Sequence, residues 1–215
     1  MILEVKHLKK YFGKRLVLDD VNFSVAAGEC LGIVGLSGCG KSTLAKIIAR
    51  LIHCDGGEII LHGDGEFYRN VQMIFQTPED SFNPRRTLGQ SISEPIKNFN
   101  VAADVENLLA QVGLPKDLKN RYPREVSGGQ CQRAAIARAI SIAPKLLICD
   151  EATSALDFKN QQQVAALIRK LCAEKNIACL FITHDIFLLN KIADRVLEMR
   201  GGKLFAEVSD EFKTD

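Results

Sequence analysis

The chain has 215 residues, 47% hydrophobic and 25% charged, enough apolar material for one domain, or one domain with a small subdomain. Its 28 basic and 26 acidic residues leave a net charge of +2, which gives no electrostatic footprint for nucleic acid or an anionic membrane. No window holds the roughly 18 consecutive apolar residues of a membrane span. Residues 1–5 lack the basic and apolar regions of a signal peptide, so none is expected. Seven cysteines without a C-x-x-C pair predict reduced thiols in a cytosolic setting.

Residues 2–6 alternate, with Leu3 and Val5 on one face, and Val21, Phe23 and Val25 alternate again. Two such segments predict an antiparallel β-subdomain. Between them lie Tyr11 and Phe12, aromatics that could stack on a base. By sequence alone, core packing is the commoner role for such a pair.

Residues 30–34 (Cys-Leu-Gly-Ile-Val) form an apolar run suited to a strand buried on both faces. The next stretch, Gly-Leu-Ser-Gly-Cys-Gly-Lys-Ser-Thr, fits G-x-x-x-x-G-K-[ST] over residues 35–42. Leu44, Ile47, Ile48 and Leu51 then recur at helical spacing. Strand, glycine loop and helix together make a phosphate site. Gly35, Gly38 and Gly40 let backbone N–H groups turn inward on an anion, and the helix beginning near Lys41 adds its positive end. Lys41 supplies a full charge to the β- and γ-phosphates, and the Ser42 hydroxyl is a hard ligand suited to Mg²⁺. The expected nucleotide-binding residues of the stretch are Gly35, Ser37, Gly38, Cys39, Gly40, Lys41, Ser42 and Thr43. Cys39 is read as a small spacer rather than a reactive thiol; Cys30, Cys149 and Cys179 fall in apolar strand runs and read as core residues.

Residues 59–61 and 71–75 are further strands, and the second delivers Gln76 at its tip, where ligands gather in open α/β sheets. Its amide oxygen can reach a metal or an attacking water. From Thr77 to Asn100 the composition turns polar, with prolines at 78, 84 and 95; Val105, Leu108, Leu109 and Val112 then form a helical stripe. This block, about 77–142, predicts a helical subdomain inserted in the nucleotide-binding core of a single 1–215 domain.

Ser127-Gly128-Gly129-Gln130 opens another helix, with Ser127 as its N-cap. It is either a second anion site or simple capping with a glycine turn. Residues 145–149 form an apolar strand ending in Asp150 and Glu151. In a chain that already has a phosphate loop, Asp150 can hold Mg²⁺ and Glu151 can polarise the water that attacks a γ-phosphate. Ser154-Ala155-Leu156-Asp157 precedes a helix carrying Val164, Leu167, Ile168 and Leu171. Residues 178–182 form the next strand, with His184 just beyond its tip, able to donate to a γ-phosphate oxygen. Residues 195–199 and 203–206, around Gly201-Gly202, predict a closing hairpin.

Taken together, these strings resemble the ATP-binding subunits of ABC transporters over nearly the whole chain. Residues 35–42 match Walker A, Gln76 the Q-loop, 127–130 the signature, 146–150 with Glu151 Walker B and its glutamate, 154–157 the D-loop, and His184 the switch histidine. The resemblance implies an α/β P-loop fold with a mostly parallel sheet, an antiparallel β-subdomain and a helical subdomain. It implies ATP and Mg²⁺ as cofactors, with Ser42, Gln76 and Asp150 at the metal and Glu151, His184 and Gln76 as catalytic residues. It raises Tyr11 to the adenine-stacking aromatic and brings Ser127, Gly128, Gly129, Gln130 and Asp157 into the nucleotide-binding set. Val126 stands where leucine is usual, and Cys131 where a larger polar residue is common.

The resemblance further implies a dimer closed by two ATP molecules, each between Walker A of one subunit and the signature of the other. It implies two separate membrane permease subunits docking around Gln76 and the segment to Pro95, an extracytoplasmic solute-binding protein acting indirectly, and a position on the cytoplasmic face of the cell membrane. Phe75-Gln76-Thr77-Pro78, Ser81-Phe82-Asn83-Pro84-Arg85 and Ser93-Glu94-Pro95-Ile96 look like the peptide/nickel importer branch, where two different ATPases usually pair. The chain stops at Asp215 without the cysteine-bearing extension often carried by peptide members, which tilts the expected cargo slightly towards nickel. The rival reading is a soluble, non-transport ABC ATPase of translation or DNA repair. The chain has neither the second cassette nor the long coiled coil usual there.

Overall fold

The computed structural model describes residues 1–206 and 208. It opens with a long hairpin: β1 (Leu3–Phe12) and β2 (Arg15–Val25), joined at Gly13-Lys14. Both strands outrun the alternation seen in the sequence. The register shifts between Val5 and Leu8, and again before Tyr11, and such bulges break a period-2 pattern. Leu3, Val5, Leu8, Leu18, Val21, Phe23 and Val25 still face one core.

β3 (Cys30–Val34) runs into the phosphate loop and α1 (Lys41–Ile48). Leu51 is not part of this helix: the chain leaves it at Ala49, Arg50 takes a left-handed turn, and Leu51 is exposed. β4 (Gly56–Leu61) returns to pair with β1, giving an antiparallel sheet of order β2-β1-β4. A short α2 (Phe67–Asn70) leads into β5 (Val71–Ile74).

The next three helices are α3 (Leu88–Asn98), α4 (Val105–Gln111) and α5 (Gly128–Ile140), with only short 3₁₀ turns between them. α3 runs through Pro95, within the polar, proline-bearing part of the block expected to be helical. A reciprocal Thr87–Gln90 capping box starts the helix, and Leu88, Ile92 and Ile96 bury a stripe at spacing four. Together they outweigh the backbone hydrogen bond that proline cannot donate.

β6 (Leu146–Asp150), α6 (Phe158–Glu174), β7 (Ala178–Ile182), α7 (Ile186–Ile192), β8 (Arg195–Arg200) and β9 (Lys203–Phe205) complete the chain. The second sheet has the order β5-β6-β7-β3-β8-β9, parallel except for β9, which turns back on β8 as the glycine pair predicts. β3, β6 and β7 are buried at every residue because core lies on both faces. Their C-terminal ends therefore open onto one edge, where the phosphate loop, Asp150-Glu151 and Thr183-His184 all emerge. Among the described residues, no helix is long and apolar enough to cross a membrane.

Candidate active site

The phosphate loop is built by two glycines that nothing else can replace. Gly40, the N-cap of α1, has φ 115°. A Cβ on Gly35 would lie 2.4 Å from the Met199 carbonyl of β8. The loop thus closes against the sheet only if residue 35 lacks a side chain. Cys39 also faces this packing: its sulfur lies 2.8 Å from that same virtual Cβ, and it rests on the core beneath. The spacer reading of Cys39 fits this placement.

Lys41 is buried, and its ammonium donates to the carbonyls of Gly35 (2.6 Å) and Leu36 (3.0 Å). The Ser42 hydroxyl donates to Asp150 Oδ1 at 3.0 Å. Burial raises the Asp150 carboxyl above its ordinary pKa of 3.8, partly opposed by the Ser42 hydrogen bond, while Glu151 next door pushes it further up. Two hard oxygens side by side on a buried floor suit a small divalent cation.

Glu151 follows β6 in a left-handed conformation, φ 51°. Its N–H donates to the Ile182 carbonyl at 3.0 Å, and Ser154 donates to the Glu151 carbonyl through its hydroxyl (2.9 Å) and N–H (3.1 Å). His184 Nδ1 lies 3.0 and 3.2 Å from the two Glu151 carboxylate oxygens. A carboxylate only accepts, so Nδ1 carries the proton in this pair.

Leu36, Ser37, Gly38, Gly40, Lys41, Ser42, Thr43, Gln76, Glu151 and His184 line one open cavity of about 840 Å³, together with Phe12, Arg15 and Val17 of the β1–β2 hairpin. The sequence reading did not identify Arg15 and Val17. Tyr11 is not among the walls; Phe12 is. Successive strand side chains point to opposite faces, and the register shifts at the end of β1 decide which of the pair looks inward.

Ser127, Gly128, Gly129, Gln130 and Asp157 lie elsewhere. They line a second cavity of about 560 Å³ with Gly113, Leu114 and Asn160. Ser127 accepts from the Gln130 N–H, and Gln130 accepts from the Ser127 N–H, so the string caps α5; it also borders this cleft. Asp157 caps α6, and hydrogen bonding from Asn160 holds its carboxyl below the ordinary range. Cys131, unexplained in the sequence, sits on α5 with no exposure, packed within the apolar core. Burial pushes its thiol up to about 11.

A mostly parallel sheet with a phosphate loop, two strand-tip acids and a histidine at one edge defines a P-loop nucleotide hydrolase. The ABC transporter family model matches residues 18–154, and the chain belongs to that family. It is 42% identical to the "Oligopeptide transport ATP-binding protein OppF" of Haemophilus influenzae, over 98% of this chain and 72% of that protein. It is 43% identical to the protein of the same name from Bacillus subtilis, over 94% of this chain and 74% of the relative. "Oligopeptide transport ATP-binding protein AppF" of Bacillus subtilis is 42% identical over 94% and 70%. As a member of this family, the chain binds ATP and is an ATPase.

Proposed function

We propose that this ATPase energises an importer of oligopeptides. The relatives carry oligopeptide transport in their names, and residues 75–96 have the character of the peptide/nickel branch. Nothing comparable favours nickel, so the slight tilt towards the metal is dropped. The reading keeps a single ATPase domain, with the helices of about 77–142 as an inserted subdomain. The chain acts at the cytoplasmic face of the cell membrane, against two permease subunits that a solute-binding protein supplies. The soluble repair or translation reading has no comparable support.

In the site, Lys41 and the loop N–H groups bind the β- and γ-phosphates, and Phe12 offers the adenine its flat face. Ser42 and Asp150, with the Gln76 amide, are the residues that would hold Mg²⁺, which neutralises charge on the phosphates when bound. Glu151 orients the attacking water and accepts its proton as oxygen bonds to the γ-phosphorus and the β–γ bridging bond breaks. His184 holds the Glu151 carboxylate in place and faces the departing phosphate. One observation carries the reading: residues from five separate parts of the chain converge on one cleft large enough for a nucleotide.

The second cavity is separate from this cleft within the chain. It gains a role when a homologous subunit presents its own phosphate loop to it. ATP then bridges the two subunits, and hydrolysis cuts the bridge. Deleting the gene and measuring uptake of a labelled oligopeptide and of nickel tests the cargo. Loss of peptide uptake alone is expected; loss of nickel uptake alone would overturn it.

A further inference from the structure

We infer that Gln132 is a positioning residue for Glu151, through which α5 sets the geometry of hydrolysis in its own subunit. Gln132 is 1% exposed, one of few polar side chains so deeply buried among the described residues. It lies on the second turn of α5, five residues beyond the Ser127 cap, and its Nε2 donates to the Ala152 carbonyl. Ala152 directly follows Glu151 and is itself buried.

Glu151 is anchored at its carboxylate by His184 and at its backbone by two neighbours. Its N–H is held by β7 and its carbonyl by Ser154 within the same turn. The φ of 51° is uncommon for a side-chain-bearing residue and persists only where neighbours enforce it. Gln132 adds a hold on the next residue from a helix, α5, that belongs to neither β6 nor β7. Removing it releases the carbonyl of the peptide that follows Ala152, one residue beyond Glu151, and so loosens the turn on which the Glu151 side chain is carried. The same amide makes that turn depend on α5. At its other end α5 is tied outward: Arg138 donates to the Ser81 carbonyl and stacks on the Phe82 ring at 4.5 Å. Displacement of α5 from either end therefore reaches Glu151 through Gln132.

A buried amide also needs a partner merely to fold, so the test must separate aim from stability. The inference rests on Glu151 acting as proposed above. Gln132→Met removes the donor at similar volume; Gln132→His keeps an N–H at nearly the same reach. ATP hydrolysis, ATP binding and melting temperature are measured on purified protein for both, alone and combined with Glu151→Asp. Expected for Gln132→Met is a ~10-fold fall in kcat with KM for ATP within about twofold, most of it restored in Gln132→His. The fall should shrink in the Glu151→Asp background, whose carboxylate is already misplaced. A lowered melting temperature with unchanged kcat, or losses that multiply independently of Glu151→Asp, would overturn the role of Gln132. If Glu151→Asp alone leaves kcat unchanged, the assignment of Glu151 fails instead. Should Gln132→Met not fold, Gln132→Asn, whose amide falls one methylene short, is read by the same criteria.

Discussion

His184 and Glu151 face each other at 3.0 Å, although 33 residues and the whole of α6 and β7 separate them. The pair fixes the carboxylate beside the cleft floor. Glu151→Gln keeps the shape and removes the base. It should slow hydrolysis ~10²- to 10⁴-fold, the range typical of a lost general base, while ATP still binds. Phosphate release and equilibrium nucleotide binding, measured together, check this. Near-normal turnover would remove Glu151 from its role.

Lys41 reaches its position through the carbonyls of Gly35 and Leu36, so its charge is already aimed along the loop. Lys41→Ala should weaken ATP binding ~10- to 100-fold, as expected for a lost charge-assisted hydrogen bond. Titration with a fluorescent ATP analogue reads this directly. Unchanged affinity would contradict the phosphate-site assignment.

Asp150 combines function with a stability cost. Because burial raises its native pKa above 3.8, the folded chain holds that proton more tightly than the unfolded chain. Its contribution to stability therefore falls as pH climbs from the unfolded value through the native one, and neutral pH lies on the unfavourable side. Asp150→Asn, measured without metal at neutral pH, should raise Tm, by ~2–4 °C for each kcal/mol recovered in a chain of this size. The same variant should lose the Mg²⁺ dependence of ATP binding. A lowered Tm would show that the Ser42 contact outweighs the burial of charge.

Phe12 and Tyr11 separate cleanly. Stacking of a base on an aromatic is worth ~1–3 kcal/mol. Phe12→Ala should weaken ATP binding by a corresponding ~5- to 150-fold, and Tyr11→Ala should leave it nearly unchanged. Equal losses in both variants, or loss only at Tyr11, would return the role to Tyr11.

Thiol chemistry offers a rapid check of the core. Cys30, Cys131, Cys149, Cys172 and Cys179 are buried, and burial holds Cys131 protonated to about pH 11. Iodoacetamide at pH 8 should label only Cys39 and Cys54, and ATP should shield Cys39. Peptide mass mapping identifies the sites; rapid labelling of Cys131 would mean that α5 opens readily.

What the sequence made legible was local. The phosphate loop, the acids after β6 and the histidine after β7 are short strings next to apolar runs, and strand tips on one sheet edge must lie close together. Whether they touch was not legible: Ser42 finds Asp150 across 108 residues. The choice between Tyr11 and Phe12 depended on bulges, which disturb periodicity without any marker residue. Gln132 was invisible because its meaning lies in a partner twenty residues away.

The contact between Gly35 and the Met199 carbonyl makes the last long strand part of the cradle for the nucleotide. Gly40 leans on the same neighbourhood, with virtual-Cβ contacts to Val17, Leu18 and Met199. A fragment cut after His184 would still contain each recognisable motif, yet it would lack the wall against which the loop takes its shape. The smallest portable engine in this chain therefore extends through β8, well past the last residue that does chemistry.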